Sequence, residues 1–242
     1  MQDKKYKILL GIIVLVFITM NYTLLNSFLV KNFSNEEFVR VDRVIDGDTV
    51  VVNGTSVRML GINTPERGEK YYAEAKNYTE SLVLNKTIKI EKRGKDLYNR
   101  DLAYLFYSNE NINLALVKEG YANYYFPEGK DNYYSEFVSA WEQCIGKNIN
   151  LCRKSPDKCA ECIELREWDF ESQKVVFYNS CNIDCNMNKW TIKDEGRKKF
   201  VFQNFTLENN KYVYVIVENK TDTSEKLYWK GETYVWTKTG DT

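Results

Sequence analysis

Apolar residues follow three different patterns along the chain, and each pattern predicts a different kind of structure. The first is an unbroken apolar run that begins at Ile8, directly after a lysine-rich amino terminus, and continues more loosely to Val30. A run of this length is enough to span a bilayer, and the lysines before it favour an internal amino terminus with the rest of the chain outside. We therefore expect residues 1–37 to form a transmembrane anchor and linker, with a cleaved signal peptide as the alternative.

The second pattern extends over residues 38–143 and combines short strands with amphipathic helices. The pair Asn53-Gly54 lies between two β-branched runs and is a strong signal for a tight hairpin turn, so the first three strands should form a meander. The order of elements favours a five-stranded barrel of the OB type with packed helices. The predicted strands are 38–45, 48–53, 56–62, 87–90 and 102–107, and the predicted helices are 69–84, 111–119 and 132–143.

The third pattern follows a cysteine-rich connector at residues 144–162. From residue 163 to residue 242, short strands alternate with Asn, Asp and Gly turns, and helix signals are almost absent. This pattern is typical of a β-sandwich, so the expected fold class is mainly β with helices: an OB-fold barrel followed by a C-terminal immunoglobulin-like sandwich. The predicted strands are 174–178, 190–192, 200–202, 212–217, 226–229 and 233–237.

Composition narrows the chemistry that the chain can use. The 242 residues contain 34 Lys or Arg and 34 Asp or Glu, so the formal net charge is zero and anion binding needs a local site. The sequence contains no histidine, which excludes Ser-His-Asp hydrolysis, Cys-His proteolysis and histidine-ligated metal sites. Catalysis must therefore use carboxylates, arginines, tyrosines, thiols or oxygen-ligated metals.

All 6 cysteines lie between residues 144 and 185. On an exported chain, disulfides are the first interpretation, although the spacing leaves the pairing open. The alternative is a four-thiolate zinc site, in which only the last two ligands have the spacing of a zinc knuckle. The candidate zinc ligands are Cys144, Cys152, Cys159 and Cys162.

Three clusters within the second pattern carry groups suited to phosphodiester chemistry. They are the segment 46–49 (DGDT), Arg58 with the segment 63–66 (NTPE), and the segment 96–100 (DLYNR). Cleaving a phosphodiester needs a divalent cation, a group that orients water and positive charge against the developing negative charge. Calcium suits carboxylate and carbonyl oxygens, and the planar fork of arginine suits phosphate. Each cluster alone is compatible with an ordinary turn or surface ion pair, but their joint occurrence favours a catalytic site.

Residues 39–141 resemble the thermonuclease, or staphylococcal-nuclease-like, family. The resemblance rests on the segments 44–50 (VIDGDTV), 57–66 (VRMLGINTPE), 96–104 (DLYNRDLAY) and 113–122 (NLALVKEGYA). It implies calcium-dependent hydrolysis of DNA and RNA that leaves 3′-phosphate ends. It also implies catalytic roles for Arg58, Glu66 and Arg100: the glutamate would activate or orient the attacking water, and the arginines would hold the scissile phosphate.

The resemblance also implies a calcium site, and at this site the sequence departs from the family pattern at one position. Asp48 and the carbonyl of Thr64 would be calcium ligands, and Asn63 stands where the family has a second aspartate. An amide still offers an oxygen but removes one negative charge, so calcium affinity should fall unless Asp46, next to the ligands, compensates.

Several residues are assigned to substrate binding. Tyr98 would lie against the 3′ side of the nucleotide, and Asp96 belongs to the same predicted site. The aromatic segment 121–134 includes Tyr124 and Phe126, on whose rings bases could stack. The alternative is that these rings pack the barrel against its last helix.

The C-terminal segment resembles the lamin-tail domain, an immunoglobulin-like sandwich. The resemblance rests on 190–194 (WTIKD), 212–215 (YVYV), 227–229 (LYW) and an ending in which Trp236 precedes 240–242 (GDT). A further strand normally follows in that family, so we expect a sandwich that lacks its last strand and binds or attaches to an unidentified ligand or surface component.

Together these patterns predict a membrane-anchored nuclease whose domains are extracellular, with secretion after cleavage as the alternative. DNA and RNA are the expected substrates, calcium is the expected cofactor, and the amino-terminal helix is the expected membrane contact. The competing hypothesis is a nucleic-acid-binding surface protein that keeps the fold but has weak or no turnover, and it is motivated by Asn63.

Overall fold

The computed structural model describes residues 21, 36–127, 129–194 and 198–236. The predicted membrane segment, residues 8–30, lies outside these ranges except for one position, and so does the predicted sandwich ending at 237–242. Among the described residues, no helix has the length and apolar character needed to cross a membrane.

Residues 36–147 form a closed barrel with three helices. The elements are β1 (Glu36–Asp46), β2 (Thr49–Val52), β3 (Thr55–Met59), β4 (Gly61–Asn63), α1 (Tyr72–Val83), β5 (Thr87–Lys95), β6 (Asp101–Tyr107), β7 (Glu110–Asn111), α2 (Ile112–Lys118), β8 (Asn123–Tyr125) and α3 (Tyr134–Lys147). Strands β1 and β5 pair antiparallel, β1 also pairs with β2, β2 with β3, and β5 with β6, while a parallel β3–β6 ladder closes the circle. The predicted five-stranded barrel is confirmed and is consistent with the OB type.

The hydrophobic pattern explains both the barrel interior and its first hairpin. Val41, Val57 and Leu105, from three different strands, are completely buried in one core, which Phe137 of α3 also enters. The turn between β2 and β3 has positive φ at Asn53 (49°) and Gly54 (75°), as the sequence pair predicts.

One predicted strand is divided in the structure. The segment 56–62 ends as β3 at Met59, turns at Leu60, and continues as β4, which leaves the barrel and pairs with β8. Gly61 permits this turn because its φ is 73° and because a Cβ there would lie 3.1 Å from the rings of Phe126 and Phe137. The predicted first helix also starts later, since Tyr71 is left-handed and α1 begins at Tyr72.

Residues 163–236, called the C-terminal module below, contain strands without helices in their described part. The strands are β9 (Ile163–Asp169), β10 (Lys174–Asn179), β11 (Cys185–Asn186), β12 (Thr191–Lys193), β13 (Lys199–Val201), β14 (Thr206–Leu207), β15 (Tyr212–Ile216) and β16 (Lys226–Tyr228). A four-stranded sheet has the order β16-β15-β10-β9, and two short ladders join β11 to β14 and β12 to β13. The all-β prediction is confirmed, whereas the immunoglobulin-like sandwich and the lamin-tail resemblance stay predictions.

Two strand predictions in this module need correction. The alternating segment that became β9 was missed, because its side chains are mostly exposed and charged. Residues 233–236 were predicted as a strand but form none; instead the backbone N–H groups of Val235 and Trp236 both donate to Oε1 of Gln173. A single side-chain amide thus replaces a neighbouring strand, which no backbone pattern could reveal.

The six cysteines are all paired. Cys144 is bonded to Cys152, which closes the end of α3, and two further bonds hold the connector to the C-terminal module. Those two join Cys159 to Cys185 and Cys162 to Cys181. The disulfide interpretation is confirmed, and the zinc alternative is wrong because all four proposed ligands are oxidised.

Candidate active site

The turn between β1 and β2 and the loop after β4 meet at Asp48, a buried carboxylate. Its Oδ2 accepts hydrogen bonds from both the backbone N–H and Oγ1 of Thr64, each 2.8 Å long. Glycine is required next to it, because a Cβ on Gly47 would lie 2.8 Å from Oγ1 and Cγ2 of Thr64. From the opposite side, Oγ1 of Thr79 on α1 donates to the carbonyl of Gly47 at 2.6 Å. The two sequence motifs are therefore locked together.

Arg58 on β3 ties these two segments to the barrel. Its Nη1 lies 3.1 Å from Oδ1 of Asp48 and donates to the carbonyl of Met59 at 2.9 Å. Its Nη2 donates to the carbonyl of Ile62 at 2.9 Å and to Oδ1 of Asn63 at 3.3 Å. The side chain is only 14% exposed. Arg58 therefore organises the predicted metal loop as well as lining the cleft described below.

Four residues with oxygen donors lie at one corner of the barrel: Asp46, Asp48, Asn63 and Thr64. Asp46 is half-buried, and its Oδ1 accepts the N–H of Asp48 at 3.3 Å. Burial raises the pKa of the Asp46 carboxyl, and the neighbouring charge of Asp48 raises it further. Two neighbouring carboxyl groups attract a cation, and an all-oxygen donor set suits a hard one such as calcium.

The backbone of Glu66, the predicted base, is held in place by Glu69. Its N–H donates to Oε2 of Glu69 at 2.8 Å, and its carbonyl accepts the N–H of Glu69 at 2.9 Å. Sequence analysis missed Glu69. Its signal was a glutamate three residues after another polar position just before a helix, which is the spacing of a capping box.

A tight turn between β5 and β6 positions Arg100. Oδ1 of Asp96 accepts the N–H groups of Tyr98 and Arg100, both at 2.9 Å, and Oδ2 accepts Nε of Arg100 at 2.6 Å. Tyr98 is 82% exposed, and its ring centroid lies 5.6 Å from the Arg100 guanidinium. Asp96 thus fixes the direction of the arginine, and the tyrosine extends the site outwards.

A cleft of about 400 Å³ connects the two predicted catalytic arginines. Arg58 and Arg100 both line it, together with Asp96 and Phe126. Its remaining charged or hydroxyl-bearing side chains, none of which the sequence analysis assigned to the site, are Arg93, Tyr104, Tyr125, Lys130 and Asp131.

Tyr104 is not available as a base in this cleft. Its hydroxyl donates to Oδ2 of Asp131 at 2.7 Å. Burial and this hydrogen bond raise the pKa of Tyr104 far above its usual value. Its phenol therefore remains neutral and supports the cleft wall.

The two aromatic residues assigned to base stacking lie in different places. Phe126 lines the cleft, while Tyr124 is not among its lining residues. The Tyr124 ring packs edge-on against Trp141, with centroids 6.4 Å apart, and joins the barrel core. For Tyr124 the geometry favours the packing alternative, because its ring lies nearly perpendicular to Trp141, at 76°, and packs against the barrel core.

Comparisons with known proteins identify the family. A model described as "Staphylococcal nuclease homologue" matches residues 56–152. The chain is 35% identical over 130 residues to a thermonuclease of Staphylococcus hyicus, covering 48% of this chain and 77% of that protein. It is 33% identical over 117 residues to an uncharacterized endonuclease of Haemophilus influenzae (46% and 64% covered). It is 32% identical over 123 residues to a thermonuclease of Staphylococcus intermedius (46% and 73% covered).

The matched region is the part of the chain that carries the cleft. It includes Arg58, the segment 63–66 and Arg100. Arg58 contacts Asn63 and lines the cleft together with Arg100, whereas the segment 63–66 does not itself line that cleft. The chain therefore belongs to the staphylococcal nuclease family and is a nuclease, a phosphodiester hydrolase.

Proposed function

We propose that the barrel domain is a calcium-dependent endonuclease that hydrolyses DNA and RNA to 3′-phosphate products. The observation that carries this proposal is the cluster of oxygen donors at Asp48 and Thr64, held against Arg58 beside a cleft that Arg100 also lines. A carboxylate-rich corner next to two guanidinium groups combines the elements that phosphodiester hydrolysis requires.

The donor set supports calcium as the metal. Asp46, Asp48, the amide oxygen of Asn63 and the carbonyl of Thr64 would hold it, since all four are hard oxygen donors near one another. Calcium bound there supplies positive charge against the charge that develops on the phosphate oxygens. Because residue 63 is an asparagine, the donor set has one negative charge fewer than a set with aspartate at that position. This predicts weak calcium binding.

The chain's own residues then divide the work. Glu66 takes a proton from the attacking water or orients it. Among the described residues Arg100 forms its side-chain ion pair through Nε, with Asp96, so its terminal nitrogens are suited to a bidentate phosphate contact. Arg58 already uses both terminal nitrogens on Asp48 and on the loop, so its charge supports the phosphate while its hydrogen bonds keep the loop in place.

The test is hydrolysis of plasmid DNA and of RNA with calcium or with chelator, followed by end-group analysis. Glu66→Gln should lower kcat at least about 100-fold while the unfolding midpoint changes little, because it removes the base and keeps the bulk. The matched control is Glu136→Gln, an exposed glutamate on α3. Full activity in chelator would disprove the calcium requirement, normal activity of Glu66→Gln would disprove the assignment of the base, and 5′-phosphate products would disprove the product class.

We also propose that the domains face the outside of the cell, anchored by the amino-terminal segment, with the C-terminal module attaching to a surface component. Three disulfides support this, because such bonds persist in oxidising compartments. Protease treatment of intact cells should remove the nuclease, and the purified protein should contain no titratable thiol. A protected domain with reduced cysteines would contradict the external location.

A further inference from the structure

A second cavity is lined by the loop that carries Asn63, Thr64 and Glu66. Its volume is about 390 Å³, within the range of ligand sites. One wall is the loop between β4 and α1, and the other is the β12–β13 ladder of the C-terminal module. The lining residues are Asn63, Thr64, Pro65, Gly68, Glu69, Lys70, Asn123, Leu151, Lys193 and Lys199.

An ion pair joins the two walls. Nζ of Lys193 on β12 lies 2.9 Å from Oε2 of Glu69, and the same oxygen accepts the N–H of Glu66 at 2.8 Å. Burial raises the pKa of Glu69, but the hydrogen bonds from Lys193 and the Glu66 N–H, with the charges of Lys193 and Lys199, outweigh it and hold the pKa below its usual value. The C-terminal module is therefore in direct contact with the loop of the predicted base.

The cavity has the opposite charge balance from the nuclease domain. Its charged lining residues are three lysines and one glutamate, whereas residues 38–145 contain 14 Lys or Arg and 16 Asp or Glu. Glu69 is matched with Lys193, which leaves the charges of Lys70 and Lys199 in excess. Lys199 is exposed. Flexible lysine side chains act as point charges for phosphate, and a polynucleotide carries a phosphate on every nucleotide beyond the cleaved bond.

We propose that this cavity is a subsite of the nuclease that binds a backbone phosphate of the polynucleotide outside the cleaved bond, with Lys199 as its principal ligand. The proposal rests on the proposed function, since the loop that lines the cavity also carries Glu66, the predicted base. The C-terminal module thereby takes part in substrate binding, and the enzyme should prefer long strands over a dinucleotide.

The test is Lys199→Gln, which keeps the length of the side chain and removes its charge. We expect the ratio of kcat/KM for a long oligonucleotide to kcat/KM for a dinucleotide to fall several-fold. In chelator, where cleavage stops, binding of the long strand should weaken and the slope of log Kd against log salt should decrease by about 1. The matched control is Lys211→Gln, an exposed lysine of the same module that does not line the cavity.

Each outcome decides the proposal. If Lys199→Gln and Lys211→Gln give the same ratio and the same salt slope, or if Lys199→Gln loses equally on both substrates, the subsite is refuted. Binding in chelator is measured without turnover, so a protein that fails to cleave would refute the calcium nuclease while the effect of Lys199 on binding is still determined.

Discussion

At the scale of single residues, the site depends on how tightly Asp48 is enclosed. One carboxylate pairs with Arg58 and also accepts two hydrogen bonds from Thr64. All these partners are largely buried, so any change in their spacing alters a charge pair that solvent cannot replace. The motif residues are therefore constrained by packing as much as by chemistry.

Gly47→Ala tests this enclosure. The added methyl would meet Thr64 at 2.8 Å, so we expect a loss of about 1–3 kcal/mol in the free energy of unfolding and a fall in nuclease activity. Denaturant unfolding measures the first and plasmid digestion the second. The control is Gly146→Ala on α3, where no atom lies within 4 Å of the new Cβ and a helix former replaces glycine. Equal stability of the two variants would contradict the proposed close approach.

Asn63→Asp tests the metal loop. The new carboxylate adds a ligand charge at an oxygen that lies 3.3 Å from Nη2 of Arg58, so the calcium concentration for half-maximal activity should fall several-fold. A calcium titration of activity measures it. Asn77→Asp makes the same charge change at an exposed position of α1 and should leave the titration unchanged. No shift, or a shift towards weaker calcium binding, would mean that residue 63 is not a ligand.

At the scale of elements, the parallel ladder between β3 and β6 begins at Asp101, a buried carboxylate. Asp101 pairs with Val57 across the closing ladder, and its oxygens lie 2.7 Å from Nζ of Lys95 and 3.2 Å from Nζ of Lys92. The hydrogen bond from Lys95 lowers the pKa of Asp101, and that from Lys92 adds to it, although burial acts in the opposite direction. These ion pairs hold β5 against β6 at the end nearest Arg100.

The lowered pKa of Asp101 predicts how barrel stability depends on pH. Its contribution is complete above the ordinary aspartate pKa of about 3.9 and is lost as the pH falls through the lower, folded value. The unfolding free energy should therefore fall more steeply below about pH 4 in the native protein than in Asp101→Asn. Urea titrations at a series of pH values measure this. Asp42→Asn, an exposed position on β1, is the control and should show the native pH dependence.

Element boundaries show what sequence patterns can and cannot predict. The barrel strands, the hairpin at Asn53 and the three helices followed from local periodicity and turn chemistry. The break at Leu60, the pairing of β4 with β8 and the contacts of Gln173 did not, because they depend on groups distant in sequence. The site residues divide in the same way. Those within the sequence motifs could be proposed from the sequence, whereas Lys130 and Lys193 reach the two cavities through tertiary folding alone.

At the scale of the whole molecule, the disulfides are distributed unevenly. The barrel strands contain none, while two bonds close loops of 26 and 19 residues at the base of the C-terminal module. Cross-links of this size stabilise by about 3 kcal/mol each. The two parts of the chain should therefore respond differently to reduction.

Replacing Cys162 and Cys181 by serine should lower the unfolding temperature of the C-terminal module and leave that of the barrel unchanged. Four of the five tryptophans (Trp168, Trp190, Trp229 and Trp236) lie in that module, so tryptophan fluorescence reports its unfolding. The control is the Cys144–Cys152 bond, whose loop of 8 residues should contribute less and affects the end of α3. A single transition that shifts as a whole in both variants would show that the two parts unfold together.

The parallel β3–β6 ladder also determines when the enzyme can first act. The rung that places Arg58 opposite Leu102 closes the barrel and brings Arg58 and Arg100 to the same cleft. A ribosome delivers β3 well before β6, and pairing of strands so distant in sequence is a slow step of folding. A nascent chain that ends before β6 therefore contains the segment 46–49 and Arg58 with the segment 63–66, but it has no working cleft. Latency while the barrel is being synthesised is thus a consequence of its topology, since the cleft between the two arginines exists only after β6 has paired with β3.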